Sequence, residues 1–450
     1  MIYKNVMELK ESIGGIIDLA DDLTPKVIDE AKLKSGLFEN IIETALFHED
    51  SGVRDLCKPL IRSISKDLGA YPASIQEIYE AMGRGEAKGF TVPAINIRGM
   101  THIFAETVFK AAMKLNVGPF IFEIARSEIG YTDQRPSEFS AMICAGAVNA
   151  GYIGPVFIQG DHFQVKPTAY KSDPEAEIGE LKKLIYEAVE AEFFNIDVDS
   201  STLVDLEKDG LEEQQRENYE NCVILTEFIR EIEPQNVTIS VGGEIGEVGK
   251  KNSTPEELEA FMEGYNGSLT VGLKGISKIS VQTGTSHGGV ILPDGSIADV
   301  TLDLDTLGVL STTAREKYGM SGAVQHGAST LPNEVFNKFP EVGASEIHLA
   351  TGFQNQIFDH PALPAELRDK IYAHLAEANG DERKEGWTDE QFYYKLRKKG
   401  FGPFKREFWE LAPAIKEAIF NDLQETFEFL FRKLSVENTR DVTDKFITEA

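Results

Sequence analysis

The sequence predicts an α/β chain organised as a (β/α)8 TIM barrel with helical N- and C-terminal extensions, and two observations carry that prediction. From Phe90 onward, short β-branched or apolar runs alternate with amphipathic helical stretches, the pattern of repeated βα units around a parallel sheet. Eight such runs fit within about 260 residues, the usual size of a closed barrel of this kind. The boundaries drawn from this rhythm are 1–85 for the N-terminal extension, 86–356 for the barrel and 357–450 for the C-terminal extension.

Residues 1–85 carry helical periodicity in pieces such as TPKVIDEAKLKSG and SIQEIYEAMGRGEAKG, punctuated by Gly and Pro. The predicted strands then follow in order: TVPAIN (91–96), PFIFEI (119–124), PVFIQGD (155–161), FFNIDVD (193–199), VTISVGGEI (237–245), KISVQTGT (278–285), AVQHG (323–327) and EIHLAT (346–351). Between them, THIFAETVFKAAMKL, PEAEIGELKKLIYEAVEAE, ENYENCVILTEFIREIE and TPEELEAFMEGY place apolar residues three and four apart with charges elsewhere, which is the helical period. After about residue 356 the alternation stops and helical pieces resume, including ELRDKIYAHLAEA and PAIKEAIFNDLQETFEFLFRKL. Between these two lies a basic-aromatic run, FYYKLRKKGFGPFKREFW (392–409). Taken alone it can bind phosphates or nucleic acid; in so acidic a chain it reads as a solvated or oligomer-contacting helical appendage.

Composition narrows the partners. The chain of 450 residues has 45 basic against 74 acidic side chains and a formal charge of −29, which repels nucleic acid and anionic membrane surfaces. An anionic substrate must therefore be drawn in by a local cation, a helix N-terminus or a metal. Cys57, Cys144 and Cys222 lack CxxC spacing, so neither a disulfide framework nor a thiolate zinc site is legible, and a reducing compartment is expected. No apolar segment has the length of a signal peptide core or a membrane span, so the expectation is a cytoplasmic protein with no membrane partner.

Residues at the C-terminal ends of barrel strands converge on one mouth, so ionisable residues there point to chemistry. The third strand closes on Asp161 and His162, the fifth on Glu244, the sixth on His287 and the seventh on His326. A single histidine is ordinarily a packed or surface residue, but three of the chain's eight histidines meet at strand ends, and three imidazoles with an open position are the donor set of a catalytic zinc ion. Asp161 is placed to act beside the ligands as an acid/base group, with a cap or loop salt bridge as the plain alternative. GTSHGG and QHGAST are glycine-bearing turns whose backbone N–H groups can approach an anion closely.

In that order, VPAIN, Asp-His at the third strand end, an acidic fourth strand, GGEIG, GTSHG and HGAST, the chain resembles the class II, zinc-dependent fructose-bisphosphate and tagatose-bisphosphate aldolases over about residues 86–356. The resemblance implies that His162, His287 and His326 hold Zn2+, that Glu244, Asp197 and Asp199 mark an alternative or structural position for a second divalent or a monovalent cation, and that Asp161 handles the proton on the hydroxyl where the carbon–carbon bond breaks. It further implies that Gly288, Gly327 and Ser329 cradle phosphate, that Thr351 adds a hydroxyl, and that Asn96 contacts substrate, a strand-end turn residue being its alternative. The implied partner is a small sugar phosphate, the implied assembly a homo-oligomer.

Four departures point to a divergent branch. GEVGKKNSTPEE stands where the family carries a proton-moving loop glutamate, leaving Glu247, Glu256 or Glu257 as substitutes. HLATG replaces an eighth strand of asparagine and aspartates, bringing in His348 as a substrate contact. EIARSE places Glu123 and Arg126 at the second strand end, and the lysine that often follows GTSHG is missing. Arg126 is expected to face the mouth and bind the anionic end of the substrate in two-pronged fashion, or else to form a salt bridge with Glu123 or Glu128. Fructose 1,6-bisphosphate is the reference substrate. The alternatives are a non-catalytic or chaperone-like subunit of an aldolase and another metal-dependent barrel hydrolase or epimerase acting on a related anionic sugar.

Overall fold

The structure is a computed structural model and describes residues 2–19, 25–246, 251–284, 292 and 302–449. The eight predicted strands are present as β4 (Val92–Asn96), β5 (Ile121–Ala125), β6 (Gly154–Gln164), β7 (Asn195–Asp199), β8 (Ser240–Glu244), β9 (Lys278–Val281), β10 (Ala323–Gln325) and β11 (Glu346–Leu349). Each pairs in parallel with its chain neighbour, and β11 pairs with β4 in the register Glu346↔Val92, which closes the sheet into a barrel. Three further strands precede them: β1 (Ile17–Leu19), β2 (Pro25–Val27) and β3 (Ala70–Ala73).

Helical periodicity in residues 1–85 is met by helices Val6–Ile13, Phe38–Phe47, Ser51–Asp67 and Gln76–Gly83. The first part of TPKVIDEAKLKSG differs: Pro25–Val27 pairs antiparallel with β1 as a short hairpin, and only the later part is helical. Pro25 at the start of a strand leaves no inward N–H unmet. β3 adds to the foot of β6 in the register Ala70↔Gly154, outside the closed ring.

Helix starts are set by local chemistry. Asp173 accepts from the Ala176 N–H (3.1 Å) ahead of Pro174–Glu190, and Thr254 with Glu257 forms a reciprocal cap ahead of Pro255–Ser268. Helix Pro136–Ala150 has almost no polar face because both its sides are covered. Phe139 and Ile143 point into the barrel core, while Ala141, Met142 and Cys144 pack with Phe38, Ile41, Cys57 and Ile61 of the N-terminal helices.

At the other end, helix Pro413–Lys433 lays Phe420 and Phe427 against Phe104 of helix Thr101–Lys114, and Phe427 against Phe353. The Leu434 carbonyl accepts from the Thr91 N–H (3.0 Å) at the entrance to β4. The apolar core thus runs without a break from the barrel into the C-terminal helices. No helix among the described residues is long and apolar enough to cross a membrane.

Candidate active site

The barrel interior departs from the layered aliphatic filling usual for the fold. Inward positions carry Glu123 on β5, Gln159 and Asp161 on β6, Asp197 and Asp199 on β7, Glu244 on β8, Lys278 on β9, and Glu346 and His348 on β11, all buried. At the centre, the Lys278 ammonium meets Asp197 (3.0 Å), Glu346 (2.6 Å) and the Gln159 carbonyl (2.7 Å). Tyr79, from the helix that plugs the N-terminal end, donates its hydroxyl to Glu346. Gly242 is required here: a Cβ would lie 2.3 Å from the Asp197 carboxylate and 2.9 Å from Cε of Lys278.

Above this layer sit the histidines. β6 shifts register between Gly160 and Phe163, and His162 adopts φ 41°, a left-handed conformation that non-glycine residues avoid. The bulge turns two consecutive residues, Asp161 and His162, toward the same mouth. It depends on Gly160, whose added Cβ would come within 2.5 Å of the Phe163 ring. His162 Nδ1 lies 3.0 Å from Asp199 and 3.1 Å from Glu244, and its Nε2 meets Nδ1 of His326. The two rings stand nearly perpendicular with centroids 4.1 Å apart. His326 Nε2 lies 3.0 Å from the Ser280 hydroxyl, and Gly327 at φ 67° lets the chain turn immediately after it.

His348 is the residue whose placement the sequence left vaguest. Its ring stacks on His326 at 4.1 Å, its Nδ1 lies 3.1 Å from both Asp161 and Glu123, and its Nε2 donates to Glu346 (2.6 Å). Burial pulls both His162 and His348 down, but the carboxylates outweigh it and hold each imidazole well above its ordinary value: Asp161 and Glu244 for His162, Glu123 and Asp161 for His348. Burial and the nearby Asp161 push the Glu123 carboxyl up to about 8. Glu346 is also buried, yet Lys278 and His348 hold it well below the usual carboxylate range.

The donor set fits a divalent ion. Ligand atoms of His162, Glu244 and His326 lie within 4.8 Å of one another, as do those of Asp161, His326 and His348. These are imidazoles and carboxylates with no thiolate, the chemistry of zinc and its neighbours. Cys57, Cys144 and Cys222 are buried elsewhere, and burial pushes their thiols up to about 11 for Cys57 and about 12 for the other two. Asp199 also accepts from Ser201 (2.8 Å) and Gln164 (2.6 Å), so within this arrangement it orients His162. His287 and Gly288, expected as a ligand and a phosphate contact, lie outside the described residues, as does Glu247.

A cavity of about 350 Å³ opens over the cluster, reached by Asn96, Arg126, Ser329 and Thr351 among others. Asn96 donates to Glu128 (2.6 Å), while its buried Oδ1 has no hydrogen-bond partner among the described residues. Ser329 accepts from the Gly352 N–H (3.1 Å) at the start of helix Thr351–Asp359. Arg126 lines the cavity, but its guanidinium is engaged by Glu177 and by the Gln164 carbonyl (2.6 Å), so its ion-pair partner is neither Glu123 nor Glu128. Of the candidate loop glutamates, Glu257 caps its helix and pairs with Lys251 (3.1 Å), and Glu256 is exposed beside it.

Lys278, Glu346, Gln159 and Tyr79 were not singled out from the sequence. The signal was present in KISV and EIHL, where a charged residue takes the inward place of an alternating strand. The cavity also recruits Arg98, Lys395 and Lys398, the last two from the basic-aromatic run expected to be a solvated or oligomer-contacting appendage.

The chain is a closed parallel barrel with a histidine–carboxylate cluster at the C-terminal ends of its strands, the face that carries the active sites of such barrels. The family model for class II fructose-bisphosphate aldolase matches residues 76–399, and the chain belongs to that family. No curated protein matches the chain at a significant level. Among solved structures, the chain is similar to a fructose-bisphosphate aldolase from Campylobacter jejuni (17% identity, 82% of this chain and 97% of that one, TM-score 0.48). It is also similar to the YdjI aldolase from Escherichia coli K12 (16% identity, 80% and 97%, TM-score 0.43) and to the fructuronate-tagaturonate epimerase UxaE from Cohnella laeviribosi (13% identity, 77% and 82%, TM-score 0.55). The last likeness is one of fold.

Proposed function

We propose that this chain is a zinc-dependent lyase that reversibly cleaves a carbon–carbon bond in a phosphorylated ketose, fructose 1,6-bisphosphate being the reference substrate. The observation that carries the reading is the convergence of His162, His326 and Glu244 on one point of the mouth with Asp161 beside them. The family resemblance adds His287 to the ligands. A bound ion supplies Lewis-acid polarisation of the ketose carbonyl.

The chain's own residues do the remainder. Asp161 takes the proton from the hydroxyl on the carbon whose bond breaks and returns it in the reverse direction. His348, held between Asp161, Glu123 and Glu346, keeps the Asp161 carboxylate turned toward the mouth. Asn96 meets the substrate from the cavity wall, and the turns at Gly327 and Ser329 approach a phosphate through backbone N–H groups.

The test is a retro-aldol assay on fructose and tagatose bisphosphates, with and without chelator. Cleavage should require the metal and return with added zinc; full turnover in metal-free protein overturns the reading. A second reading, epimerisation of an anionic ketose, is favoured by the His348 imidazole, whose Nδ1 lies 3.1 Å from the carboxyl groups of both Asp161 and Glu123. In the same assay it appears as a stereoinverted ketose with no aldehyde released.

A further inference from the structure

The basic run near the C-terminus does not project into solvent. Arg397 clamps it to the helix that follows β11: Nη1 and Nη2 reach the two oxygens of Asp359 (2.6 and 2.9 Å), and Nη2 also reaches Asn355. Leu396 and Phe401 are buried on either side, and Gly400 passes so close to Ile371 that a Cβ would meet its side chain at 2.5 Å. So pinned, helix Asp389–Leu396 and the 3-10 turn Arg397–Gly400 present Lys395 and Lys398, three residues apart, to the cavity over the histidine cluster. Arg98, from the loop after β4, lines the same wall.

On this wall Arg98 is paired and, among the described residues, Lys398 is not. Glu128 is already shared by Arg98 (2.7 Å), Asn96 (2.6 Å) and the Ala125 N–H (3.0 Å). The Lys398 ammonium lies over the Tyr131 ring at 5.5 Å and has no carboxylate within ion-pair distance among the described residues. Burial, reinforced by Arg98, pulls Lys398 down to about 8, the mark of a cation held where its charge is poorly compensated. Lys398 thus brings to the cavity a cation with no facing carboxylate among the described residues, beside the Arg98–Glu128 pair and Lys395, in a chain of charge −29.

We infer that Arg98, Lys395 and Lys398 form an oxyanion-binding wall, supplied largely by the C-terminal segment, that holds a phosphate or carboxylate group of the substrate at the barrel mouth. The inference deepens the proposed lyase reading and rests on it for the identity of the substrate, but binding of the anion does not require turnover. Arg126, the cation expected for this task, is engaged by Glu177; the wall offers an alternative on a different segment.

The experiment is calorimetric titration of the full chain with two probes, inorganic phosphate and D-glucuronate, comparing wild type with Lys395→Met/Lys398→Met. At least one probe should bind the double variant 10–100-fold more weakly, the usual worth of a charge-assisted contact, and which probe responds identifies the oxyanion. Lys398→Arg should restore binding, and thermal melts report that each variant is folded. Unchanged isotherms for both probes overturn the inference. In turnover with a ketose bisphosphate, the double variant should show a 10–100-fold higher KM. Probe binding lost in the variant, with no ketose phosphate cleaved by wild type, refutes the lyase reading and leaves the wall standing; cleavage by wild type with isotherms insensitive to the variant refutes the wall alone.

Discussion

Asp161 and the residues around it divide into groups that move a proton and groups that hold a cation, and substitution should separate them. Asp161→Ala is expected to lower kcat by ~10²–10⁴-fold, the range for a positioned acid/base group, while elemental analysis finds the metal retained. His326→Ala should lose the metal itself, because His326 belongs to two of the three candidate donor groups among the described residues, including the one with His162 and Glu244; retention of stoichiometric metal would remove it from the site. Lys278 tests the layer beneath. It is the cation between Asp197 and Glu346, 1% exposed, and Lys278→Met leaves two buried carboxylates without it. Urea titration should show a loss of about 3–5 kcal/mol, and Lys278→Met/Glu346→Gln should recover part of it. A variant as stable as wild type would mean that the polar layer tolerates an uncompensated charge.

At the scale of single elements, β6 decides the geometry of the mouth. Its register shift aims Asp161 and His162 together, where a regular strand would send neighbours to opposite faces. The sequence places Asp161 beside the metal ligands as an acid/base group; the bulge explains how it and its neighbour His162 both reach the mouth. Gly160→Ala pushes a methyl group into the Phe163 ring, so it should destabilise the fold by ~1–3 kcal/mol and weaken metal binding more than a cavity-neutral change elsewhere on the strand. Unaltered metal affinity in a folded Gly160→Ala protein would argue that the bulge survives without glycine. The strands were legible because apolar runs bounded by Gly, Pro and helical periods have few other solutions. Helix Pro136–Ala150 was not, because a helix buried on both sides has no polar face to set its period.

For the molecule as a whole, both terminal segments pack against the barrel, and the C-terminal one also lines its mouth. Ile419, Phe420, Leu423, Phe427 and Phe431 are buried in the same core as the strands. A chain ending at residue 400 should therefore lose its cooperative thermal transition or aggregate on expression; a truncated chain that melts like the full one would show that the C-terminal helix is dispensable. Chelation should lower the melting temperature of the full chain, since an ion bound only by the folded cluster adds to its stability. A melt unmoved by chelator and by added zinc would count against a tightly held ion.

By itself the sequence determined the barrel, the order of its strands and the place of Asp161, His162, Glu244 and His326 at their ends, because periodicity and the convergence of strand ends are properties of local pattern and topology. It also determined the family, through short motifs at strand-end spacing. Tertiary structure alone decided that His348 stacks on His326, that Lys278 and Glu346 share the barrel centre, that Arg126 is engaged by Glu177, and that Lys395 and Lys398 reach the mouth from far along the chain. Each of these is a contact between residues distant in sequence, set by packing and by where a segment is anchored, and no local period encodes such a contact.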